Sequence, residues 1–431
     1  MSANKMAYVI FVSALVFGVR EKCSGTRAAT TKSTFRTSFT HKSDGNMSLV
    51  DVGSFGAKGN GVTDDTEAFE AAWRAACSKG YTTLHIPANY SFVVGPITFS
   101  GPCQSSIVFM VDGNIVAHLN PRTWPSKRLQ WINFSKVHGI NVMGKGVLDG
   151  QGAAWWKLSE FDFGKRSSGP SVRPTSLRFY GSYNVSVQEI TIQNSPQCHL
   201  KFDSCTSVEV SGVTISSPEI SPNTDGIHLQ NSRDVEIHHT SIACGDDCVS
   251  IQTNCSGIRV HNINCGPGHG ISIGALGKDG GKACVSNVSV YNSNISDSSY
   301  GVRIKTWQGG VGSVKGVSFS NIQVSNVRIP IDINQFYCDI EACPNRTSAV
   351  FIREVTYAKI VSTYIDKPLY LACSNDIPCT DLKLQNIKLK PAVTYEDPFC
   401  LNSYGQSNLT FTVDCLQSGR PANDPSGKDA C

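Results

Sequence analysis

Short runs of alternating β-branched residues recur in pairs through the middle of the chain, and the pairs return at a nearly constant interval. A β-sandwich would give strands at intervals of about 8–12 residues, joined by hairpin turns. A pair of strands every 23–30 residues is instead typical of a structure that repeats one coil at a time. The sequence therefore predicts an all-β fold, a right-handed parallel β-helix in which each coil adds one strand to each of several parallel sheets. The first residues of the clearest runs are Val185, Val208, Val235, Ile258, Val288 and Val317.

One short helix is predicted ahead of the first coils. Thr63 or Asp64 is a suitable N-cap, and acidic residues fill the turn that follows. We therefore interpret Asp64 and Asp65 as a helix start rather than as a catalytic pair. The helix should cap the first coil, because a stack of strands otherwise leaves an open edge. Its predicted apolar face consists of Ala68, Phe69, Ala72, Trp73 and Ala76.

The N-terminal residues divide into two segments ahead of the β-helix. Residues 1–25 resemble a secretory signal peptide, with Lys5 before the apolar run Met6–Val19. This run is shorter than the roughly 20 residues that span a bilayer, and a retained signal anchor is the alternative. Residues 26–48 are rich in Ser, Thr and basic residues, which predicts a disordered mature N-terminus or pro-segment. Residues 49–431 are predicted to form a single β-helix catalytic domain.

Cysteine content and glycosylation signals indicate a secreted, extracellular protein. Seventeen cysteines are too many for a reducing compartment without a metal rationale, and their spacing does not suggest zinc fingers. We therefore expect the cysteines to form disulfides. The plausible pairs are Cys248/Cys265, Cys338/Cys343, Cys373/Cys379 and Cys400/Cys415. Nine Asn-x-Ser/Thr sequons also favour a glycoprotein: Asn46, Asn89, Asn133, Asn184, Asn254, Asn287, Asn294, Asn345 and Asn408.

Charged residues recur at the coil interval within residues 221–305. Asp225 precedes Asp247 by 22 residues, and Asp247 precedes His269 by another 22. Residues one coil apart lie on neighbouring strands, roughly 4.8 Å apart in the pairing direction. The spacing therefore predicts that these side chains form one patch. The formal net charge of +4 is too small to indicate a nucleic-acid partner, but it permits a local basic site for an acidic ligand.

Asp246 and Asp247 are consecutive, so on a regular strand they would point to opposite faces. Both can face outward only where the chain bends or bulges, and Gly245 favours such a bend. Taken alone, an Asp-Asp pair also suits a turn or a calcium site. The register with Asp225 and His269 favours a catalytic group instead. Clustered carboxyls cannot all ionise freely, and one protonated acid beside ionised bases is what glycoside hydrolysis requires.

Two cations follow on a later strand. Arg303 and Lys305 are two residues apart and should share a face. With His269 they form a cationic strip beside the acids. A neutral sugar has no need of such a strip, whereas a sugar acid would bind Arg in a bidentate fork and Lys as a point charge. The alternative is a surface salt-bridge cluster that neutralises the acids, and both can hold.

Four motifs together resemble the plant polygalacturonases, the family 28 glycoside hydrolases. They are NTDGIH at 223–228, CGDDCVSI at 244–251, GPGHGISIG at 266–274 and RIKTW at 303–307. FGAKGNGVTDDTEAF near the start and GVLDGQGAAWW at 146–156 also fit. The resemblance spans about Leu49 to Cys415. It implies a pectin-lyase-like β-helix enzyme of the cell wall that hydrolyses α-1,4-galacturonosyl bonds of de-esterified pectin with inversion, without a metal or other cofactor.

The resemblance also implies a role for individual residues. Asp246 matches the general acid, while Asp225 and Asp247 match the bases that hold the attacking water. His269 joins them as a catalytic-site residue that orients the acids. The remaining matches concern the substrate: Asn223 shapes the site, Arg303 and Lys305 bind the galacturonate carboxylate, and Tyr337, in the less distinctive string INQFYCD, is a further substrate-binding residue.

Three other functions stay open at this stage. A pectate lyase would share the fold and substrate but would use calcium and an arginine base. A rhamnogalacturonan hydrolase is disfavoured by the intact His269 and RIK triplet. A non-catalytic pectin-binding wall protein would need only the cationic strip and not all three acids. We expect polygalacturonate as the partner of a monomer that binds neither nucleic acid nor membrane, and the sequence leaves endo or exo action undecided.

Overall fold

The fold follows from strands that bury every second side chain. In β28 (Phe351–Tyr364), for example, buried Val355, Tyr357 and Ile360 alternate with more exposed positions. This computed structural model describes residues 48–125, 129–158, 173–340, 342–343, 345–408, 416–419, 421 and 431. The predicted signal peptide and residues 26–47 of the predicted pro-segment lie outside these residues, as do Asn46 and Cys415. The predicted division of the chain into segments therefore stays a prediction.

The described strands form two parallel sheets. The short sheet takes one strand from each coil: β5 (Ile97–Ser100), β8 (Gln130–Ser135), β11 (Thr175–Tyr180), β14 (Leu200–Asp203), β17 (Ile227–Gln230), β20 (Val249–Ile251), β23 (Ile271–Leu276), β25 (Tyr300–Trp307), β27 (Ile329–Tyr337), β29 (Tyr370–Ala372) and β32 (Phe399–Leu401).

The long sheet takes the rest of each coil, as two strands or as one longer bent strand. Its members are β1 (Ser48–Asp51), β2 (Asn60–Asp64), β3 (Thr82–Ile86), β4 (Ser91–Val93), β6 (Ile107–Val111), β7 (Asn114–Val116), β9 (His138–Met143), β10 (Val147–Asp149), β12 (Tyr183–Gln188), β13 (Thr191–Gln193), β15 (Thr206–Ser211), β16 (Thr214–Ser216), β18 (Arg233–His238), β19 (Ser241–Ala243), β21 (Cys255–His261), β22 (Asn264–Cys265), β24 (Lys282–Ser296), β26 (Val311–Val327), β28, β30 (Cys379–Gln385), β31 (Lys388–Pro391) and β33 (Ser403–Asn408).

Successive strands pair in parallel and in register, which confirms the predicted right-handed parallel β-helix. Val185 pairs with Val208, Val208 with Val235, and Val235 with Ile258. Inside the coils, Phe179 stacks on Phe134 and on Phe202 with ring centroids 5.1 and 5.2 Å apart. Because each coil repeats the same inward positions, the core is a continuous column of apolar side chains.

A bend between the two long-sheet strands of each coil requires left-handed backbone. One residue per coil takes a φ between 51° and 65° there, and we call these positions the corner column: Glu189, Gly212, His239, Asn262, Asn292 and Asn321. Gly and Asn adopt this conformation most readily. Asn321 Nδ2 donates to Asn292 Oδ1 at 2.7 Å, so neighbouring corners are tied by side-chain hydrogen bonds.

The predicted helix is present as α1 (Thr66–Cys77), with its N-cap at Asp65, one residue beyond the predicted start. Its buried residues are the five predicted ones. Asp64 Oδ1 accepts a hydrogen bond from Thr66 N, while Asp65 ties the preceding glycine-rich turn through Lys58 N and Gly59 N. The Asp-Asp pair therefore organises the helix start, as predicted. The other helical segments of the described residues are α2 (Ala153–Trp156) and three 3-10 turns, at Val52–Phe55, Pro121–Thr123 and Lys278–Gly280.

The disulfides are partly as predicted. Cys248–Cys265, Cys338–Cys343 and Cys373–Cys379 are formed, while the Cys400/Cys415 prediction involves a residue outside the described ones. Cys77–Cys103 and Cys284–Cys431 were not predicted. The expectation that the cysteines all form bridges was wrong, because four of the described cysteines are buried free thiols: Cys198, Cys205, Cys244 and Cys255. The last three pack in the core as small apolar side chains. Among the described residues, no helix has the length and apolar character needed to cross a membrane.

Candidate active site

The 22-residue interval corresponds to one coil, as expected. Ile227 pairs with Val249, and Val249 pairs with Ile271, on three neighbouring strands of the short sheet. Each of these residues follows, by two positions, one of the three charged residues at the starts of β17, β20 and β23. The register therefore stacks Asp225, Asp247 and His269 on consecutive coils.

A cleft with a volume of about 1060 Å³ opens over this part of the short sheet. It is lined by both polar and aromatic side chains, including Lys278 in the loop between β23 and β24 and Trp307 at the end of β25. That loop, residues 277–282, forms one wall. The predicted site residues all line the same cleft: Asn223, Asp225, Asp246, Asp247, His269, Arg303, Lys305 and Tyr337.

Asp246 lies in a bend between β19 and β20, which lets its side chain face the cleft together with that of Asp247. His269 Nδ1 lies 3.0 Å from Asp246 Oδ1, and the same oxygen accepts a hydrogen bond from Asp247 N at 2.9 Å. Asn223 Nδ2 lies 3.5 Å from the other oxygen. Burial acts to raise the pKa of Asp246, but the His269 hydrogen bond and the charges of His269 and Lys305 outweigh it, so the pKa is lowered. The same hydrogen bond raises the pKa of His269.

Asp247 and Lys305 form a buried ion pair. Lys305 Nζ lies 2.9 Å from Asp247 Oδ2, and Ser272 Oγ donates to Asp247 Oδ1 at 2.6 Å. The side chains of Lys305 and Asp247 are only 8 % and 3 % exposed. Burial would lower the pKa of Lys305, yet the charge of Asp247 raises it. Lys305 therefore neutralises an acid, as the salt-bridge alternative expected, but in a buried position instead of on the surface.

Asp225 has a different environment. Its Oδ2 lies 3.0 Å from His228 Nδ1. Burial raises the pKa of Asp225 well above its usual range, and the charges of Asp246 and Asp247 raise it further. Burial, reinforced by Lys201, lowers the pKa of His228 to about 3, so the imidazole that is hydrogen-bonded to the Asp225 carboxyl is neutral. These environments favour a proton on Asp225 over one on Asp246, whereas the resemblance implies that Asp246 is the general acid.

Arg303 forms a buried ion pair with Asp332, a residue that was not predicted from the sequence. Its Nε lies 3.0 Å from Asp332 Oδ2, and Asp332 pairs with Arg303 in the strand register. The guanidinium lies over the Tyr300 ring at 3.8 Å and near the Tyr337 ring at 5.4 Å. Burial, opposed by Arg303, raises the pKa of Asp332 to about 7. The 29-residue step from Arg303 to Asp332 was a signal that could have revealed this partner.

Two further side chains were present in recognised motifs without an assigned role. His228 ends NTDGIH, and Ser272 lies within GPGHGISIG. Both lie in one row of paired residues across the short sheet. His228 pairs with Ser250, Ser250 pairs with Ser272, and Ser272 pairs with Arg303. The one-coil interval alone would have identified them.

Three of the site residues are close enough to share a metal ion in principle. Asp246, Asp247 and His269 each have one potential ligand atom within 4.8 Å of the others. However, His269 is hydrogen-bonded to Asp246, and the Lys305 ammonium already balances Asp247. A second cation would be repelled by that ammonium. The chemistry proposed below therefore uses the protein's own groups, and the expected absence of a cofactor stays a prediction.

Comparison with known proteins identifies the family. The profile described as glycosyl hydrolases family 28 matches residues 76–403. The chain belongs to this family. A polygalacturonase from Cryptomeria japonica is 43% identical over 347 residues, covering 80% of this chain and 67% of that protein. A probable polygalacturonase from Arabidopsis thaliana is 41% identical over 376 residues, covering 85% and 84%. The resemblance inferred from the four motifs is thus confirmed.

A solved structure has the same fold. The endo-xylogalacturonan hydrolase from Aspergillus tubingensis superposes with a TM-score of 0.74 at 24% sequence identity, covering 86% of this chain and 99% of that one. At this identity the likeness concerns the β-helix alone. The family 28 membership and the cleft geometry together supply the basis for the function.

Proposed function

We propose that this family 28 glycoside hydrolase is a polygalacturonase that hydrolyses α-1,4-galacturonosyl bonds of de-esterified pectin with inversion. The observation that carries the proposal is the convergence of three carboxyls from two adjoining coils, beside two cations, in one cleft. Inverting hydrolysis needs an acid on one side of the scissile bond and a base that activates water on the other. A galacturonate unit adds a carboxylate that the cations can bind.

In this mechanism one of the three acids is the proton donor and the other two bind the attacking water. Asp246 protonates the leaving oxygen, and Asp225 and Asp247 hold the water that attacks the anomeric carbon. Lys305 and Ser272 fix Asp247 in place, and Lys305 keeps its charge compensated. This role requires Asp225 to lose the proton that burial favours before water is activated, so its raised pKa helps to set the acidic limit of activity.

The proton for the leaving oxygen is held by a pair of groups. His269 has a raised pKa and contacts Asp246 Oδ1, so a proton shared between them lies next to the cleft. We propose that this one proton moves from His269 to Asp246 and from Asp246 to the leaving oxygen, which leaves His269 neutral and Asp246 ionised. The pair therefore titrates as a unit rather than as two independent residues. Loss of its proton sets the alkaline limit, which gives a bell-shaped profile with an acidic optimum.

Arg303, Lys305 and Tyr337 bind the carboxylate of a galacturonate unit in this proposal. Arg303 contacts Asp332 through Nε, and its guanidinium lies over the Tyr300 ring. Its other N–H groups can donate to a carboxylate in the cleft, which Arg303 lines. The Tyr337 ring lies 5.3 Å from Lys305 Nζ and offers an aromatic surface beside it. Asn223 shapes the cleft next to Asp246.

Asp246→Asn tests the activity directly. We expect release of reducing ends from polygalacturonate to be lost almost completely while the circular dichroism spectrum and thermal midpoint stay as in the wild type. Asp279→Asn, in the exposed loop of the cleft wall, is the matched control and should retain activity. Unchanged release by the Asp246 variant would refute its role. Retained binding without activity in the wild type would instead indicate a pectin-binding protein.

Product analysis separates the remaining enzyme classes. A lyase would yield unsaturated products whose absorbance disappears on chelation of calcium, whereas a hydrolase yields saturated reducing ends. Cleavage of rhamnogalacturonan in preference to polygalacturonate would favour that alternative substrate. Chromatography of early products distinguishes endo from exo action, since an endo enzyme releases long oligomers first and an exo enzyme releases short products throughout.

The proposed place of action is the extracellular cell wall, reached through the predicted signal peptide. Exposed sequons support N-glycosylation and therefore passage through the secretory pathway, because an oligosaccharide can be attached only to an accessible asparagine. A mass decrease on enzymatic removal of N-glycans would test this location, and the hydrodynamic size of the secreted protein would test the predicted monomer. The described exposed sequon residues are Asn89, Asn254, Asn287, Asn294, Asn345 and Asn408.

A further inference from the structure

Two consecutive histidines lie together on the long sheet, on strands that do not line the cleft. His238 ends β18, and His239 occupies the corner column with a φ of 51°. The left-handed corner redirects the chain, so the two imidazoles point toward each other although consecutive strand residues would alternate. Their Nδ1 atoms are 2.8 Å apart. His239 is exposed, so the pair lies at the protein surface.

The other nitrogen of each ring is held by a neighbouring coil. His238 Nε2 lies 3.3 Å from Glu209 Oε1 on the preceding coil. His239 Nε2 lies 3.0 Å from the Asn262 side-chain amide on the following coil. Protein metal sites commonly fix a ligating imidazole in this way, through a carboxylate or carbonyl oxygen that accepts its second N–H. His238 therefore already has the outer contact of a metal ligand, whereas the Asn262 amide nitrogen, which faces His239 Nε2, must turn away before the amide oxygen can accept from that nitrogen.

Ring stacking restricts the pair further. His238 stacks on His261 with centroids 5.1 Å apart and an interplanar angle of 6°, and His261 stacks on Tyr291 at 4.7 Å. His261 Nε2 is in turn 3.2 Å from Glu236 Oε1. The His238 ring thus loses little freedom on binding a ligand, which favours affinity. Glu209 also places negative charge beside His238, which favours a cation, whereas the charge of Glu236 is balanced by Arg259.

From this geometry we propose that the His238–His239 pair binds a divalent transition-metal ion, with Zn²⁺ or Cu²⁺ held by the two Nδ1 atoms and by water. Neutral imidazole suits these ions. In the metal-free protein, one Nδ1 donates its hydrogen to the other. Binding moves the hydrogen of His239 from Nδ1 to Nε2 through solvent, and Asn262 turns its amide so that its oxygen accepts it. No net proton is released when both rings start neutral.

The corner column provides a matched variant. His239→Asn installs the residue that the following corners carry, so the left-handed backbone is preserved while one ligand is lost. We expect the wild-type protein, freed of metal by chelation, to bind one Cu²⁺ at the pair at pH 7, with two nitrogen ligands in its electron paramagnetic resonance spectrum. The variant should lose this signal. His138→Asn, an exposed histidine on the same sheet, is the control and should retain it.

A second variant tests the role of the outer contacts. Glu209→Gln should weaken Zn²⁺ binding, measured by calorimetry, by about 10-fold or more, because it weakens the acceptor that orients His238. Zn²⁺ should also raise the melting temperature of the wild type and not that of His239→Asn, since only the wild type has the site. Neither readout depends on pectin hydrolysis.

Three outcomes would overturn the proposal. Absence of Cu²⁺ and Zn²⁺ binding to the wild type would mean that the pair is only a hydrogen bond. Unchanged two-nitrogen binding in His239→Asn would place the ion elsewhere. Binding that inhibits polygalacturonate hydrolysis, persists in His239→Asn and is lost in Asp246→Asn would place it at the catalytic acids.

Discussion

Asp332→Asn should make this protein more stable at neutral pH, although it removes one partner of a buried ion pair. Asp332 lies 3.0 Å from Arg303, and both side chains are almost completely buried. Breaking such a pair commonly costs about 3–5 kcal/mol when it leaves an uncompensated charge. Here, however, burial outweighs the attraction of Arg303, since the pKa of Asp332 is raised to about 7 from an ordinary 3.8.

The magnitude follows from linkage. A carboxyl with a raised pKa in the folded state keeps its proton while the unfolded chain releases it, so the wild type loses stability between about pH 4 and pH 7. Each pH unit corresponds to about 1.36 kcal/mol, which gives an upper bound of about 4 kcal/mol. Asparagine resembles the protonated acid in shape and never ionises. The variant should therefore match the wild type near pH 4 and exceed its free energy of unfolding by up to about 4 kcal/mol at pH 7.

Urea unfolding followed by tryptophan fluorescence at several pH values between 4 and 7 measures this difference. Asp366→Asn is the matched control, since Asp366 pairs with Arg328 at 2.7 Å on the surface. An exposed pair contributes only about 0–1 kcal/mol, so this variant should change little at any pH. If Asp332→Asn were instead less stable than the wild type at pH 7, Asp332 would be an ionised partner on which Arg303 depends, and the reasoning from burial would be wrong.

Three further changes probe the site, a disulfide and the core. His269→Gln removes the imidazolium that shares its proton with Asp246, so the alkaline limit should move downward toward the range of an isolated carboxyl and the maximal rate should fall; an unmoved profile of initial rates would argue against the pair. Cys248→Ser should lower the free energy of unfolding by about 2–4 kcal/mol in urea, and no change would show that the bridge is dispensable. Phe179→Ala opens a cavity in the aromatic column and should cost about 3–5 kcal/mol by the same assay, whereas a loss below about 1 kcal/mol would mean that the coils collapse around it.

The repeating architecture was predictable from the order of residues alone, because a β-helix coil has a nearly constant length and alternates apolar residues toward its interior. The step from Asp225 to Asp247 to His269 could be read as one coil without coordinates, and the structure shows that register. The buried face of α1 was equally predictable from its spacing. The four motifs identified the family because they place particular residue types in a fixed order along the chain.

Only the tertiary structure shows which side chains are in contact and how burial changes their protonation. Four of the described cysteines are buried free thiols, which the number of cysteines in the sequence does not reveal. The proton preference of Asp225 over Asp246 arises from burial and from which acid His269 contacts, and neither is encoded in spacing alone. The His238–His239 contact likewise depends on a left-handed corner. A period fixes which coils are neighbours, whereas solvent exclusion and side-chain orientation set the chemistry between them.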